Sequence, residues 1–283
     1  MVETRDGFAE NEYGRLLEVL MCSPEQMQIV EPINDTQKRY KKSNIDQKKA
    51  VEQHHQMRAV LENHGVRVHL LPPEEKMPEQ VFTRDLGFTS TRGILIGKMQ
   101  EELREPETEQ VKQWMGANGW KYEEMETGAL EGGDIIIDGS LLFAAESSRT
   151  TPDALDELKN WFPEKKLVRI PLKKQYLHLD CVFNILSPAT AIIYEQALTK
   201  EALGRIKMHY RTISIGGKEQ FRLAANVLGI GNHTVMALPE NKRVNHQLKE
   251  WGFNVIEVEF SEIIKSGGAF RCVTFPLKRM TEV

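Results

Sequence analysis

The chain has 283 residues, with 37 lysines and arginines against 41 aspartates and glutamates, a formal charge of −4 and an isoelectric point near 6.1. Charges of both signs are interspersed, so there is no basic stripe to bind nucleic acid, and no apolar run approaches the ~18 residues needed to cross a membrane. Cys22, Cys181 and Cys272 cannot all pair and show no CxxC spacing, which speaks against a disulfide framework or zinc finger and for a reduced, cytoplasmic chain.

Residues 1–12 are charged and lack the apolar core of a signal peptide. Strand-like runs follow at 16–21, 66–71, 93–96, 134–144, 167–172, 181–186, 191–194, 212–215, 233–238 and 254–260. Apolar residues at helical spacing mark 45–64, 108–118, 151–161, 218–228 and 243–251. Thr151-Pro152-Asp153 reads as an N-cap with proline in the first turn, and Asn63-His64-Gly65 as a glycine stop. Residues 31–44 are too polar for core and read as a loop able to close over a bound substrate. No linker divides the chain, so residues 1–283 read as one domain, and about five helices among strand clusters suggest a repeated β-rich unit with one helix each.

Four segments carry chemistry. In Val81-Phe82-Thr83-Arg84-Asp85-Leu86-Gly87-Phe88, opposite charges sit between aromatic rings; this is either a surface ion pair or a pocket for a delocalised cation. Glu131-Gly132-Gly133-Asp134 opens an apolar strand, either as a plain turn or as a place where backbone approaches a ligand. In Tyr176-Leu177-His178-Leu179-Asp180-Cys181-Val182-Phe183, an extended backbone puts His178 and Asp180 on one face and Cys181 on the other. That is a core histidine with a bonded aspartate, or an imidazole and a carboxylate projecting into one space. Gly267-Gly268-Ala269-Phe270-Arg271-Cys272 makes Cys272 either a buried small hydrophobe or a thiol activated by Arg271 and His178; Cys22 and Cys181 read as structural. Glu131, Asp134, His178 and Asp180 could also hold a divalent metal, but that leaves the glycine-flanked Cys272 unused.

The ordered set FTRD, EGGD, HLDCVF and GGAFRC, spanning about residues 79–276, resembles the guanidine-modifying (pentein) superfamily, which includes arginine deiminases, amidinotransferases and dimethylarginine dimethylaminohydrolases. The resemblance implies an α/β fold, a five-bladed α/β propeller of ββαβ units with its active site on the pseudo-fivefold axis. It implies Cys272 as nucleophile, His178 as general acid and base, and Glu131 as the carboxylate orienting His178. It further implies Asp85 and Asp180 as the grip on the guanidinium, Phe82 as an aromatic wall, and Arg104 and Arg149 as partners of a substrate carboxylate. No metal or organic cofactor is implied; the expected partner is a small guanidino compound such as arginine or a methylated arginine, with no nucleic acid or membrane and with a homo-oligomer allowed.

Features that separate the members point in different directions. The compact length resembles dimethylarginine dimethylaminohydrolases, whereas Asp180, two residues past the histidine, resembles deiminases and amidinotransferases. Glu79 stands where deiminases carry an amide and dimethylargininases an acid suited to an α-amino group. The expected activity is cysteine-dependent hydrolysis of an arginine-like guanidine through a covalent thiouronium, with amidino transfer to an amine and a non-catalytic binding propeller as the alternatives.

Overall fold

A computed structural model describes residues 4–281. Its strands form five three-stranded sheets, each built as an antiparallel pair whose second strand leads through a helix into a strand parallel to it. Four of these ββαβ blades are contiguous. They are β3 (Gly87–Ser90), β4 (Gly93–Ile96), α3 (Glu105–Ala117) and β5 (Tyr122–Glu124); β6 (Ile135–Asp138), β7 (Leu141–Glu146), α4 (Pro152–Trp161) and β8 (Lys166–Pro171); β9 (Phe183–Ser187), β10 (Thr190–Ile193), α5 (Lys200–His209) and β11 (Arg211–Ser214); and β12 (Leu228–Gly231), β13 (Thr234–Ala237), α7 (Lys242–Glu250) and β14 (Asn254–Glu257). The fifth joins the chain ends: β1 (Arg15–Cys22) runs through α2 (Gln47–Asn63) into parallel β2 (Arg67–Leu71), and β15 (Phe275–Met280) pairs antiparallel with β1. The expected α/β propeller of five blades is therefore present.

Local chemistry explains the units. The first strands are short apolar runs, Ile135-Ile136-Ile137 for example, buried on both faces as interior strands must be. Helix α4 starts after Thr151 with proline in its first turn and turns Ala154, Leu155 and Leu158 inward at helical spacing. The core lies mainly between neighbouring blades. Leu20 and Leu71 meet Ile94, Ile96, Val111 and Phe275, and Phe88 and Leu95 meet Ile135, Leu142, Leu155 and Phe162.

Several sequence expectations are corrected. The run 134–144 is a hairpin rather than one strand, reversing at Gly139, whose φ of 55° suits glycine. The stretch 218–228 is helical only over α6 (Gly217–Phe221); a turn follows in which Leu223 has φ 53°, and Leu228 already belongs to β12. The helix of the third contiguous blade is instead α5, which buries only Ala202 and Ile206 and so has a weak apolar stripe. Residues 31–44 are not loop throughout, because Asp35–Tyr40 form α1 with the Asn34 side chain capping Gln37 N. Strands β3, β5, β12 and β15 were not among the expected elements.

One buried charge network ties the ring. Glu12 Oε2 accepts from Arg84 Nη2 at 3.1 Å and Arg271 Nη1 at 2.9 Å, and Oε1 accepts from Ile137 N at 3.2 Å. Burial disfavours the Glu12 anion, but Arg271, Arg84 and Arg279 outweigh it and hold its pKa at about 2. The contribution to stability is complete above the ordinary value of 4.5 and is lost as pH falls through about 2. Replacing Glu12 with alanine leaves buried arginines uncompensated and is expected to cost about 3–5 kcal/mol. Urea denaturation measures it, and a loss below about 1 kcal/mol would show the arginines to be neutralised by other groups.

Candidate active site

A tight turn precedes the first strand of every hairpin, and the chemistry collects on these turns. Short 3-10 helices at Thr83–Leu86, Gly132–Asp134 and Leu179–Cys181 carry or adjoin Asp85, Glu131, and His178 with Asp180. Turns at 222–225 and 270–273 precede β12 and β15 and bring Asn226 and Cys272. The turns are stitched to one another by Arg84 N donating to Cys272 O at 3.0 Å, Leu179 N to Asp134 Oδ1 at 3.0 Å, and Arg271 N to Asn226 Oδ1 at 3.1 Å. Packing this close requires glycine. A Cβ on Gly132 would stand 1.9 Å from Gly87 O, and one on Gly268 would stand 2.4 Å from a Phe82 ring carbon and 2.8 Å from Cys272 Cβ.

His178 and Glu131 form one half of the site. His178 Nε2 lies 2.7 Å from Glu131 Oε2, and both side chains are buried. Burial alone would favour neutral imidazole, but Asp85, the Glu131 hydrogen bond and Asp134 outweigh it and push the His178 pKa up to about 10. Burial likewise opposes the Glu131 anion, and the His178 bond and the nearby Arg149 and Arg104 hold its carboxyl well below the usual range. Asp85 Oδ2 accepts from Arg104 Nη1 at 2.6 Å. Asp85 Oδ1 and His178 Nδ1, 3.5 Å apart, are buried without a hydrogen-bond partner among the described residues.

Cys272 forms the other half. Its Sγ receives Asn226 Nδ2 at 3.2 Å and lies 3.8 Å from each Asp180 oxygen, while Arg271 Nε stands 3.6 Å from Asp180 Oδ2. Cys272, His178, Asp85, Phe82, Glu79, Arg104 and Arg149 all line one cavity with about 10 Å³ of space, room for roughly one water molecule. Glu131 and Asp180 stand behind that wall, holding His178 and touching Cys272.

The cavity is roofed by the segment before α1. Ile33 and Asn34 line it, Arg149 Nη2 donates to Ile33 O at 3.0 Å, and Asn34 Nδ2 donates to Ser266 O at 3.0 Å. Buried Gln37 donates to Glu79 Oε1 at 2.7 Å. Burial is the main cause that raises the Glu79 pKa to about 7, against the lowering pull of Arg104.

Three expectations change. The backbone after His178 is a 3-10 turn, not extended, so Cys181 does not alternate away: its Sγ lies 3.6 Å from Asp180 Oδ1 and within 4.8 Å of Cys272 Sγ. Arg104 has every guanidinium nitrogen engaged, by Asp85, Glu107 and Phe82 O, so it braces Asp85 instead of offering a free anchor. The metal set weighed from sequence divides, with Glu131 and His178 meeting Asp85 while Asp180 meets the two cysteines. Asn226 lies outside the four segments that the sequence singles out. Its signal is positional, since Leu223-Ala224-Ala225-Asn226 occupies in its blade the place that FTRD and HLDC occupy in theirs.

The model of the family described as N,N dimethylarginine dimethylhydrolase, eukaryotic, matches residues 23–279. The chain belongs to that family. It lies within the guanidine-modifying superfamily of arginine-modifying hydrolases and amidinotransferases. Over 268 residues it is 43% identical to the uncharacterized protein YkgA of Bacillus subtilis, covering 95% of this chain and 94% of that one. It is 27% identical over 235 residues to the N(G),N(G)-dimethylarginine dimethylaminohydrolase of Pseudomonas aeruginosa, covering 81% and 89% of the two chains. The N-terminal domain of ArgZ, an arginine dihydrolase from cyanobacteria, superposes with a TM-score of 0.85 at 24% identity over 93% of this chain and 98% of that domain, a likeness of fold.

Proposed function

We propose that the protein hydrolyses the guanidine of an arginine-like substrate with Cys272 as nucleophile, and that an unsubstituted guanidinium, as in arginine, is the preferred group. The observation that carries this reading is a pair of carboxylates about the thiol: Asp85, which lines the cavity and whose Oδ1 has no hydrogen-bond partner among the described residues, and Asp180, which stands behind the wall with both oxygens 3.8 Å from Cys272 Sγ and is reached as the cavity opens for substrate. A guanidinium is planar with N–H groups on its edges, and carboxylates on two sides fix both its position and its orientation. A dimethylated nitrogen presents no N–H to one of them. Dimethylarginine hydrolysis is the second reading, favoured by the family model and by the acid at Glu79.

In this mechanism Phe82 covers one face of the cation and Arg149 receives the substrate carboxylate. Sulfur gives its proton to water and attacks the central carbon as the thiolate while the Asn226 amide holds it in place; the departing ammonia takes up a proton from water in turn. His178, protonated near neutral pH, gives its proton to the departing nitrogen, and the substrate stays on sulfur as a thiouronium. Water then attacks as His178 takes back a proton, and the carbon–sulfur bond breaks to release the ureido product and the thiol. Asn34 and Ile33 must move to admit a substrate, because the space beneath them is far smaller than a guanidino group. The test is mass spectrometry of products from arginine, dimethylarginine and agmatine, with and without an acceptor amine. Citrulline from arginine faster than from dimethylarginine is expected; transfer to the amine, or inert protein with every substrate, contradicts the reading.

Glu79 gives the proposal a pH signature. A carboxyl with a pKa of about 7 becomes an anion able to hold an α-amino group only as pH rises through neutrality. The kcat/KM for arginine should therefore climb through that range, and Glu79→Gln should flatten the climb while lowering affinity. A climb that persists in Glu79→Gln would remove Glu79 from the site.

A further inference from the structure

We infer that Cys181 and Cys272 form a redox pair in which a peroxide oxidises Cys272 and Cys181 captures it as a reversible intramolecular disulfide, withdrawing the nucleophile. The two residues are far apart in sequence, yet both sulfurs and an Asp180 oxygen lie within 4.8 Å of one another. Asp180 Oδ1 touches both, at 3.6 Å from Cys181 Sγ and 3.8 Å from Cys272 Sγ. Cys181 also has its own approach. A cavity of about 120 Å³, separate from the one at Cys272, is lined by Cys181, Asn34, Tyr176, Leu177, Phe221 and Gly267. A peroxide is little larger than water, so the sulfurs face two spaces on either side of the Asn34 cover.

The chemistry balances with hydrogen peroxide as the oxidant. Cys272 sulfur attacks a peroxide oxygen, the O–O bond breaks, water leaves and a sulfenic acid remains. Cys181 sulfur then attacks Cys272 sulfur, its proton passing by way of Asp180 to the departing hydroxyl, which leaves as a second water; two thiols have given two electrons to one peroxide. The sulfurs must close to about 2.0 Å. Gly267, with φ 96°, and Gly268 stand five and four residues before Cys272 and give the segment that carries it the freedom for that approach. Cys22 Sγ contacts Ser23 O at 3.7 Å and is absent from this cluster, so it serves as an internal control.

The experiment treats the full chain with graded hydrogen peroxide, blocks remaining thiols by alkylation, and maps peptides by mass spectrometry without reduction. Two of the three thiols should be lost together, in one linked peptide pair carrying Cys181 and Cys272, and dithiothreitol should restore both. In Cys181→Ala, Cys272 should proceed to sulfinic acid that dithiothreitol does not reverse. Wild-type protein that accumulates Cys272 sulfinic acid as fast as Cys181→Ala, or that links through Cys22, overturns the inference. If Cys181→Ala does not fold, the presence or absence of the linked pair in wild-type protein decides. The readout is sulfur chemistry, so it stands apart from whether the protein hydrolyses any guanidine.

Discussion

Cys272→Ala is expected to lower kcat on arginine by on the order of 10⁴-fold or more, while the variant stays folded. The size follows from the role, because without a sulfur at this position no covalent intermediate forms and the remaining groups only bind and polarise the substrate. Cys181 cannot substitute for it. Its sulfur has a pKa raised well above the ordinary thiol value by the neighbouring Cys272 thiol and by burial, so it stays protonated. It also does not line the cavity that Cys272 and His178 share. The loss to stability comes from the Asn226 Nδ2 hydrogen bond to Sγ and the longer contacts of Sγ with the two Asp180 oxygens, on the order of 1 kcal/mol for each hydrogen bond. Steady-state kinetics and chemical denaturation measure the two quantities. Activity within tenfold of wild type would take the nucleophile's role from Cys272.

The second large effect is expected at Glu131→Gln, which keeps the shape of the side chain and removes its charge. By analogy with the orienting carboxylate of a hydrolytic triad, kcat should fall by about 10³–10⁴-fold. The pH dependence is the sharper readout. Burial pulls the His178 pKa down, and Asp85, Glu131 and Asp134 raise it to about 10, so deleting one of these carboxylates must lower it. Wild-type kcat should fall on the alkaline side as His178 loses its proton near pH 10, and this limb should move to lower pH in Glu131→Gln. The same linkage acts on stability. The contribution of His178, raised above its ordinary value of 6.5, is complete below that pH and disappears as pH rises through about 10; the variant should lose alkaline stability earlier. An alkaline limb at the same pH in both proteins would show that Glu131 does not set the charge of His178.

Much of the site could be read from the sequence because each part carries its own punctuation. Paired glycines directly follow Glu131 and precede Cys272 by four residues, and Gly132, Gly133 and Gly268 are where the turns pack against one another too closely for a Cβ. His178 and Asp180 are legible, but their relation to Cys181 is not: a strand period of two sets Cys181 on the opposite face, whereas residues 179–181 form a 3-10 turn that brings it round to Asp180. Asn226 lies among ordinary apolar residues, with no charge or glycine beside it, and shows its importance only when the turn before β12 is compared with the turns before the other blades. The alternating strand and helix patterns show about five helices and suggest a repeated unit, whereas five blades follow only from the family resemblance; α5 hides behind its thin apolar stripe, and 218–228 holds only the short α6. Closure of the ring by β15 was hidden because β15 pairs with β1, a strand some 260 residues away, and no local pattern encodes so distant a partner.

The most direct test of the covalent role of Cys272 is intact-protein mass spectrometry after rapid acid quench of turnover on arginine, followed by peptide mapping. A population heavier by arginine less ammonia, with the added mass on the peptide containing Cys272 and missing from Cys272→Ala, is the predicted result. An adduct of the amidino carbon and its nitrogens alone would contradict hydrolysis in favour of transfer. Citrulline formed with no adduct on Cys272 at any quench time, and undiminished in Cys272→Ala, would contradict the sulfur's role altogether.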